Sequence, residues 1–312
     1  MTASPLPAIS VIIPLYNKAA HVRASIESAL AQTYPAQEII VVDDASSDES
    51  LDIVKRMSRS EIRILQRNQP GPGGYAARNY GIAQARGDWV AFLDADDLWQ
   101  PAHLESIANA IAACGGQVGC AFTGVDIVQA GRRRPYKHNA RLLTPNVPLS
   151  PETMLRAWLS EERCPIWTGA SAFSISVLQR AGPFPAGRAR RGGDKDMWLR
   201  AMLAAPTVFS SARTAEFHQD TQNRVTKATG HVDPPVLCTT IREILPTTSG
   251  QLRRLLKRTN NMELRLYARH AAGAGQTLRL TALNRFLLPS GLLELFGFLL
   301  FSVFGVWKRW SR

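Results

Sequence analysis

Two short apolar runs, each ending in a cluster of aspartates, constrain the fold of this chain most strongly. Residues 39–42 read IIVV and precede Asp43 and Asp44, and residues 89–93 read WVAFL and precede the string DADD at 94–97. Short runs of β-branched and large apolar residues are typical of buried parallel strands. The carboxyl ends of such strands meet at one edge of a sheet, where open α/β folds bind their ligands. The sequence therefore predicts a ligand site where five carboxylates converge.

Strand and helix patterns alternate through the first hundred residues. Residues 9–13 and 61–65 give two further strands. Ser46 and Glu49 have the spacing of a capping box that opens a helix, and a glycine-rich loop at 71–74 precedes another helix. This order predicts an α/β fold, a doubly wound and mostly parallel sheet with helices on both faces.

The middle third of the chain has a weaker pattern. Apolar runs predict strands at 118–122 and 170–175, and helical spacing predicts helices at 151–159 and 194–204. Residues 128–150 contain three consecutive arginines and three prolines, which is typical of a long loop.

The positive charge is concentrated at one end. The 312 residues carry a formal charge of +12, of which residues 251–312 contribute +9. A nearly neutral body argues against a basic nucleic-acid groove. The helix predicted from Gln251 onward, which is basic and has one apolar face, instead indicates a surface-binding appendage.

Composition excludes further classes of protein. A hydrophobic fraction of 45% and a charged fraction of 20% are those of a globular chain, not a disordered one. The four cysteines lack zinc-site spacing and are expected to be reduced thiols of a cytosolic protein. The first ten residues lack the basic and apolar regions of a cleaved signal peptide.

The acidic clusters favour a metal-bound nucleotide. Crowded carboxylates raise one another's pKa unless a cation or a ligand rich in donors lies among them. Oxygen ligands suit Mg²⁺ or Mn²⁺ bound to a diphosphate. Helix capping is the alternative, but it explains one acid per cluster and not three around Ala95. The first strand–helix turn, PLYN at 14–17, contains no glycine, which argues against a dinucleotide-binding Rossmann domain and a P-loop.

Four blocks of sequence carry a specific resemblance. VIIPLYN at 11–17, VVDDASSD at 41–48, ARNYG at 77–81 and FLDADD at 92–97 resemble family 2 glycosyltransferases of the GT-A fold. The likeness covers residues 8–105 and weakens toward 225. It implies a nucleotide-sugar-binding and catalytic domain at 1–225, followed by a basic, helical C-terminal extension at 226–312.

The resemblance implies a donor site. Tyr16 would stack on the base, Asp44 would accept a hydrogen bond from it, and Asp43 would orient the turn. Arg78 would lie near the base or the diphosphate. The implied donor-binding set is Pro14, Tyr16, Asp43, Asp44, Arg78 and Asp94. Tyr16 as a turn aromatic and Arg78 as a solvated side chain are the alternatives.

The resemblance also implies a metal site and a base. Asp96 would ligate Mn²⁺ or Mg²⁺ between the two phosphates, with His218 beside it, although a lone histidine can be purely structural. Asp194 would deprotonate the acceptor hydroxyl. The residue before it, Gly193, stands where the family usually has a glutamate. Asp196 is an alternative base, and Asp194 could also serve as a helix N-cap. Arg188, Arg190 and Arg191 either recognise an acidic acceptor group or form a solvated loop.

Three functions remain open from the sequence. The first is an inverting, metal-dependent transferase that moves sugar from a nucleotide-sugar donor to a hydroxyl of a glycan or lipid-linked acceptor, in surface polysaccharide or glycolipid synthesis. The second is a polyprenyl-phosphate glycosyltransferase, and the third a non-catalytic nucleotide-sugar-binding scaffold. No nucleic acid is expected as a partner.

Residues 286–307 form an apolar run whose only charge is Glu294. A short membrane anchor, an in-plane segment and a helix buried in an oligomer are all compatible with it. We expect membrane association without a full span, and hence a cytoplasmic protein at the inner face of the membrane.

Overall fold

The computed structural model describes residues 6–221, 232–278, 283, 285–287 and 292–310. In chain order its strands and helices are β1 (Ile9–Leu15), α1 (Val22–Leu30), β2 (Glu38–Asp43), α2 (Ser50–Met57), β3 (Ile62–Gln66), α3 (Tyr75–Gln84), β4 (Trp89–Phe92), β5 (Leu98–Trp99), α4 (His103–Ala113), β6 (Cys120–Gln129), β7 (Arg132–Pro135), α5 (Pro151–Ser160), β8 (Ser171–Ser174), α6 (Ile175–Ala181), α7 (Gly193–Ala204), β9 (Thr207–His218), α8 (Val236–Ile244), α9 (Gly250–Gly273) and α10 (Leu292–Trp310).

One sheet contains these nine strands. Its order is β3-β2-β1-β4-β8-β6-β9-β5, and β7 pairs with β6. The four strands predicted in the first hundred residues, β1 to β4, lie side by side and parallel, as predicted. The second half is mixed, because β8 is antiparallel to both β4 and β6 whereas β9 is parallel to β6.

Helices cover both faces of the sheet. Side chains alternate along a strand, and in β1 Ile12 belongs to one apolar cluster whereas Val11 and Ile13 belong to the other. The first cluster includes residues of α3, α5, α7, α8 and α9, and the second includes residues of α1, α2 and α4. The predicted layer arrangement is therefore confirmed.

Two local predictions are wrong. The loop expected at 128–150 begins instead with a hairpin, because β6 runs to Gln129 and pairs with β7. The Ser46–Glu49 capping box does not form: α2 starts at Ser50, whose N–H donates to Asp48 Oδ1 (2.9 Å). Ser46 Oγ instead accepts from the N–H of Asn17 (3.1 Å) and joins the two turns at the sheet edge.

The C-terminal helices pack against the rest of the fold. On α9, Leu255, Leu256 and Met262 belong to the same apolar cluster as α5 and α7, so this helix is not the appendage expected from its charge. The expected boundary at 225 lies outside the described residues and stays a prediction.

Helix α10 has one packed face and one exposed face. Phe298 is fully buried beside Tyr267 of α9 and Phe286, whereas Leu293 and Phe296 are 85% and 68% exposed. In the described part of the chain no helix combines the length and apolarity required to cross a bilayer.

Candidate active site

The turns that follow β1, β2 and β4 meet at the carboxyl edge of the sheet. The N–H of Asp44 donates to Leu15 O (2.7 Å), and the N–H of Leu93 donates to Ile12 O (3.1 Å), which joins the three strand ends. Tyr16 is 45% exposed at this edge, an orientation that leaves its ring available for stacking on a ligand. The aspartate clusters therefore meet where the sequence predicts.

Asp43 and Asp44 are buried and have different partners. Asp44 is held by the guanidinium of Arg67 and by the N–H of Gly71, which donates to Asp44 Oδ2 at 2.8 Å. Asp43 Oδ2 accepts a long hydrogen bond from Ser46 N (3.4 Å), and its Oδ1 is buried without a partner among the described residues. Asp44 is thus neutralised by Arg67, a contact that the sequence did not indicate.

Arg78 reaches from α3 into the same edge. It forms an ion pair with Asp94 and donates from Nη1 to Gly73 O (2.8 Å). Its exposed fraction is 6%, so the solvated alternative is wrong. A Cβ on Gly74 would lie 3.2 Å from Arg78 Nη1 and 3.4 Å from Pro14 Cβ, so Pro14, Gly74 and Arg78 are in close contact.

Asp96 has a cation beside it. Lys18 Nζ donates to Asp96 Oδ2 (2.6 Å), and Thr221 Oγ1 donates to the same oxygen (2.7 Å). Within the described residues Asp96 Oδ1 has no hydrogen-bond partner. Lys18 directly follows the Tyr16-Asn17 turn, but no local pattern in the sequence indicates that it pairs with Asp96, 78 residues away.

His218 lies at the end of β9, next to the DADD loop. Its N–H donates to Asp97 Oδ1 (3.0 Å), and its Nε2 lies 3.1 Å from Glu216 Oε2. Asp97 therefore binds β9 instead of capping a helix. Burial, together with the charges of Asp94 and Asp96, raises the pKa of Asp97 well above its usual range.

These residues fit a divalent cation in their chemistry. Burial first, and then the charges of Asp94 and Asp96, raise the pKa of Asp97, and a cation would offset those charges. The carboxylate oxygens of Asp94 and Asp96 are of the kind that Mg²⁺ or Mn²⁺ prefers. Over the described ranges, no group of three His, Cys, Asp or Glu side chains is arranged to hold a metal ion. The residues therefore suit a divalent cation in the type of their ligand atoms and not in their arrangement. Lys18 supplies one positive charge beside Asp96.

Asp194 lies in the first turn of α7. The preceding N–H, of Gly193, donates to Tyr75 Oη of α3, the helix whose Arg78 pairs with Asp94, so α7 begins beside the donor-binding set. Burial raises the pKa of Asp194. The helix starts one residue before the predicted position. Asp194 is not its N-cap, since the N-cap is Gly192, which has no side chain to cap the helix. Asp194 Oδ1 accepts from the N–H of Lys195 (2.9 Å).

Gly193 is enclosed by rings. Its N–H donates to Tyr75 Oη (2.9 Å), and a Cβ there would lie 2.7 Å from Pro185 Cγ and 2.9 Å from Tyr75 Cζ. A glutamate cannot occupy this position without displacing Tyr75. The glycine that departs from the family pattern is therefore matched by the tyrosine packed against it.

Asp196 is engaged on both oxygens. Arg200 donates to Oδ2 from Nε (3.1 Å) and Nη2 (2.8 Å), and Thr240 Oγ1 donates to Oδ1. Only 3% of its side chain is exposed. This arrangement joins α7 to α8 and favours Asp194 over Asp196 as the base.

Comparison with known proteins identifies the family. The profile described as "Glycosyl transferase family 2" matches residues 10–181, more than half of the chain. The chain belongs to glycosyl transferase family 2. The succinoglycan biosynthesis protein ExoO of Rhizobium meliloti (strain 1021) is 38% identical over 130 residues, which are 41% of this chain and 36% of ExoO. The chain thus spans about a third of the length of the curated relatives it matches.

Solved structures confirm the GT-A fold of this family 2 chain. S. aureus TarS 1-349 in complex with UDP-GlcNAc superposes with a TM-score of 0.67 at 17% identity, covering 97% of this chain and 92% of TarS 1-349. The mannosyltransferase PcManGT from Pyrobaculum calidifontis in complex with GDP-Man and Mn²⁺ superposes with a TM-score of 0.56 at 20% identity. This superposition covers 99% of this chain and 89% of PcManGT.

Sequence reasoning about this family 2 chain missed several contacts of the site. Arg67, Tyr75 and Glu216 carried no distinctive local pattern. Lys195 directly follows Asp194 and carries no signal of its own, yet its ammonium binds Glu263 of α9. Glu263 is one of two acids after residue 250, and an isolated acid on the apolar face of a basic helix is a signal for a buried ion pair.

Proposed function

We propose that this chain is an inverting, metal-dependent glycosyltransferase that moves a sugar from a nucleotide-sugar donor to a hydroxyl acceptor. The observation that carries the proposal is the meeting of α7 with α3 at one edge of the sheet. The N–H of Gly193, the residue before Asp194, donates to Tyr75 Oη of α3, and Arg78 of the same helix pairs with Asp94. Family membership and the fold support it. The succinoglycan-related relative favours a role in surface polysaccharide or glycolipid synthesis.

The donor would bind along the edge formed by the turns after β1, β2 and β4. The half-exposed ring of Tyr16 offers a stacking surface for the base. Asp44 would accept a hydrogen bond from the base while it remains paired with Arg67. Arg78 and Asp94, already paired, would contact the ribose or the diphosphate. Pro14 and Gly74 shape the wall beside Arg78.

Asp96 and His218 would hold the metal, Mn²⁺ or Mg²⁺. When bound, the cation supplies positive charge that stabilises the leaving diphosphate. Lys18 acts on the same carboxylate and would add to that field, since its Nζ is 2.6 Å from Asp96 Oδ2. Charge at the leaving group acts where the transition state develops negative charge.

Asp194 would act as the general base. Its carboxylate takes the proton of the acceptor hydroxyl, the oxygen forms a bond to the anomeric carbon, and the bond from that carbon to the diphosphate oxygen breaks. In-line attack inverts the anomeric centre, and the nucleoside diphosphate leaves with the bonding electron pair. Burial raises the pKa of Asp194, which makes it a stronger base than a solvated aspartate.

A screen of nucleotide-sugar donors with Mn²⁺, reading nucleoside diphosphate release and transfer, tests this function. Asp194→Asn and Asp96→Asn should each lower turnover by about 100-fold or more while the protein stays folded. Chelation of the metal should stop the reaction. Wild-type turnover in either variant would contradict the assigned roles, and the absence of release with every donor would favour a non-catalytic scaffold.

A lipid phosphate acceptor is the second candidate, and the exposed apolar face of α10 favours it. A phosphate oxygen attacks without a strong base, so Asp194→Asn would remain active on a polyprenyl phosphate. Activity of this variant on a lipid phosphate, together with inactivity of the wild type on hydroxyl acceptors, would decide for the second candidate.

We also propose that α10 associates the protein with a membrane surface. Its exposed side chains are Leu292, Leu293, Phe296, Leu299, Leu300 and Val303, a contiguous apolar face of the kind that marks an interaction site. A helix with one face packed on its own domain and the other exposed suits binding in the plane of the interface. Co-flotation with anionic vesicles tests this association.

A further inference from the structure

We propose that α9 of the C-terminal extension is part of the active site: Glu263 and Tyr267 fix the first turn of α7, and thereby position Asp194. The inference rests on the proposed function. In it Glu263 and Tyr267 are positioning residues, because they act on the reaction through Lys195 and Gly192.

The first turn of α7 has little support of its own. Gly192, the N-cap, has a φ of +70°, a left-handed conformation that favours glycine, and no side chain caps the helix. Asp194 bonds only to the adjacent N–H of Lys195 among its described hydrogen bonds. The orientation of the carboxylate therefore depends on what other elements do to this turn.

Glu263 fixes the turn through Lys195. Lys195 Nζ donates to both carboxylate oxygens of Glu263, at 3.0 Å and 2.9 Å, and Trp158 Nε1 of α5 donates to Oε1 at 3.0 Å. Glu263 is fully buried. A charge-assisted pair whose carboxylate is fully buried and engaged on both oxygens is a rigid connection.

Tyr267 fixes the turn from one helical turn further along α9. Its side chain is buried, and a Cβ on Gly192 would collide with its hydroxyl oxygen. The hydroxyl thus rests directly against the Gly192 backbone. Tyr75 completes the support from α3, because its hydroxyl accepts from the N–H of Gly193.

The ion pair also determines where the charge of Lys195 acts. Burial by itself lowers the pKa of Lys195, but the Glu263 carboxylate outweighs burial and keeps that pKa above its ordinary value. The ammonium is therefore committed to Glu263. Without that partner the ammonium would be free to turn toward Asp194, whose charge already acts on it, and to compete with the acceptor hydroxyl.

The test compares Glu263→Gln and Tyr267→Phe with wild type in the full chain. We expect kcat to fall about 10- to 100-fold in Glu263→Gln, because a displacement of ~1 Å at a reacting group has effects of that size. Tyr267→Phe keeps the ring buried and should lower kcat several-fold. The donor KM should change by less than about twofold in both, since ground-state donor contacts are intact.

Arg265→Gln is the matched control. Arg265 also lies on α9 and pairs with Glu162, with 19% of its side chain exposed against 29% for Lys195. Loss of this pair should lower the melting temperature but leave kcat unchanged. Amide exchange of residues 190–200 should rise in the two test variants and not in the control.

The outcomes separate two failures. If the wild type is active but both test variants keep kcat and donor KM within about twofold of it, the inference is overturned and the proposed function stands. If the wild type releases no nucleoside diphosphate from any donor, the proposed function fails, and the inference with it. Should Glu263→Gln not fold, Tyr267→Phe decides, because it removes one hydroxyl and no charge.

Discussion

At Gly193 the absence of a side chain allows the first turn of α7 to pack between Pro185 and Tyr75. Both neighbours are rings and cannot move away as a flexible side chain would. We predict that Gly193→Ala destabilises the protein by about 1–3 kcal/mol, the usual cost of overpacking. Thermal unfolding measures the change.

Gly273 provides the control for this substitution. It lies at the end of α9 with an ordinary φ, and a Cβ there would meet nothing within 4 Å. Gly273→Ala should leave stability unchanged or raise it slightly, because alanine is the better helix former. Equal effects at the two glycines would contradict the close packing at Gly193.

Asp194 should determine the acidic side of the pH profile. Burial raises its pKa above the ordinary aspartate value of 3.8, and only the ionised form can accept a proton. We therefore predict that kcat/KM increases with pH through this raised pKa and is lost below it. Initial rates at acceptor concentrations well below KM, from about pH 3.5 upward, measure the profile of kcat/KM. A profile that stays flat down to 3.8 would contradict Asp194 as the base.

Asp194 and Asp196 lie two residues apart on α7, and their loss should have opposite effects. Loss of Asp194 should lower activity, and loss of Asp196 should lower stability. Asp196 holds Arg200 and Thr240, and its loss would leave a largely buried arginine unpaired. We predict that Asp196→Ala lowers the free energy of unfolding by ~3 kcal/mol, the range for a broken buried pair, while the folded fraction keeps its kcat. Thermal unfolding and active-site-normalised rates are the measurements, with Asp194→Asn as the converse variant. A loss of kcat at unchanged stability in Asp196→Ala would make Asp196 the base.

The elements differ in how far they could be predicted. β1, β2 and β4 lie within two residues of their predicted ends, because apolar runs bounded by polar turns indicate buried strands. β5 has two residues, and β7 reads RRRP with every residue exposed, so neither has an apolar pattern to detect.

The site, too, was only partly predictable from the sequence. The acid clusters could be placed because strand ends share an edge. The cations could not, because Lys18 is 78 residues from Asp96 and Lys195 is 68 from Glu263. Only the packed fold decides which long side chain reaches which carboxylate.

For the whole molecule, the charge distribution has two components with different roles. The apolar face of the basic helix α9 is buried, and its acid Glu263 serves the active-site turn. The remaining positive charge of residues 251–312 lies in a region that also presents the exposed face of α10. Exposed apolar residues close in sequence to basic ones suit an anionic lipid surface, to which each nearby Lys or Arg adds about 1 kcal/mol of attraction.

We predict that the full chain floats with anionic vesicles and that added salt weakens this binding, because ions screen the electrostatic part. Replacing Leu293, Phe296 and Val303 together by serine should abolish flotation without lowering the melting temperature, since these side chains are exposed in the folded protein.

Phe298→Ala is the converse control: Phe298 is fully buried, so its truncation should cost about 3–5 kcal/mol of stability. Undiminished flotation of the triple variant would contradict the assignment of this face. Concentration-dependent dimers that the triple substitution removes, without any binding to vesicles, would identify the face as a contact between copies of the chain.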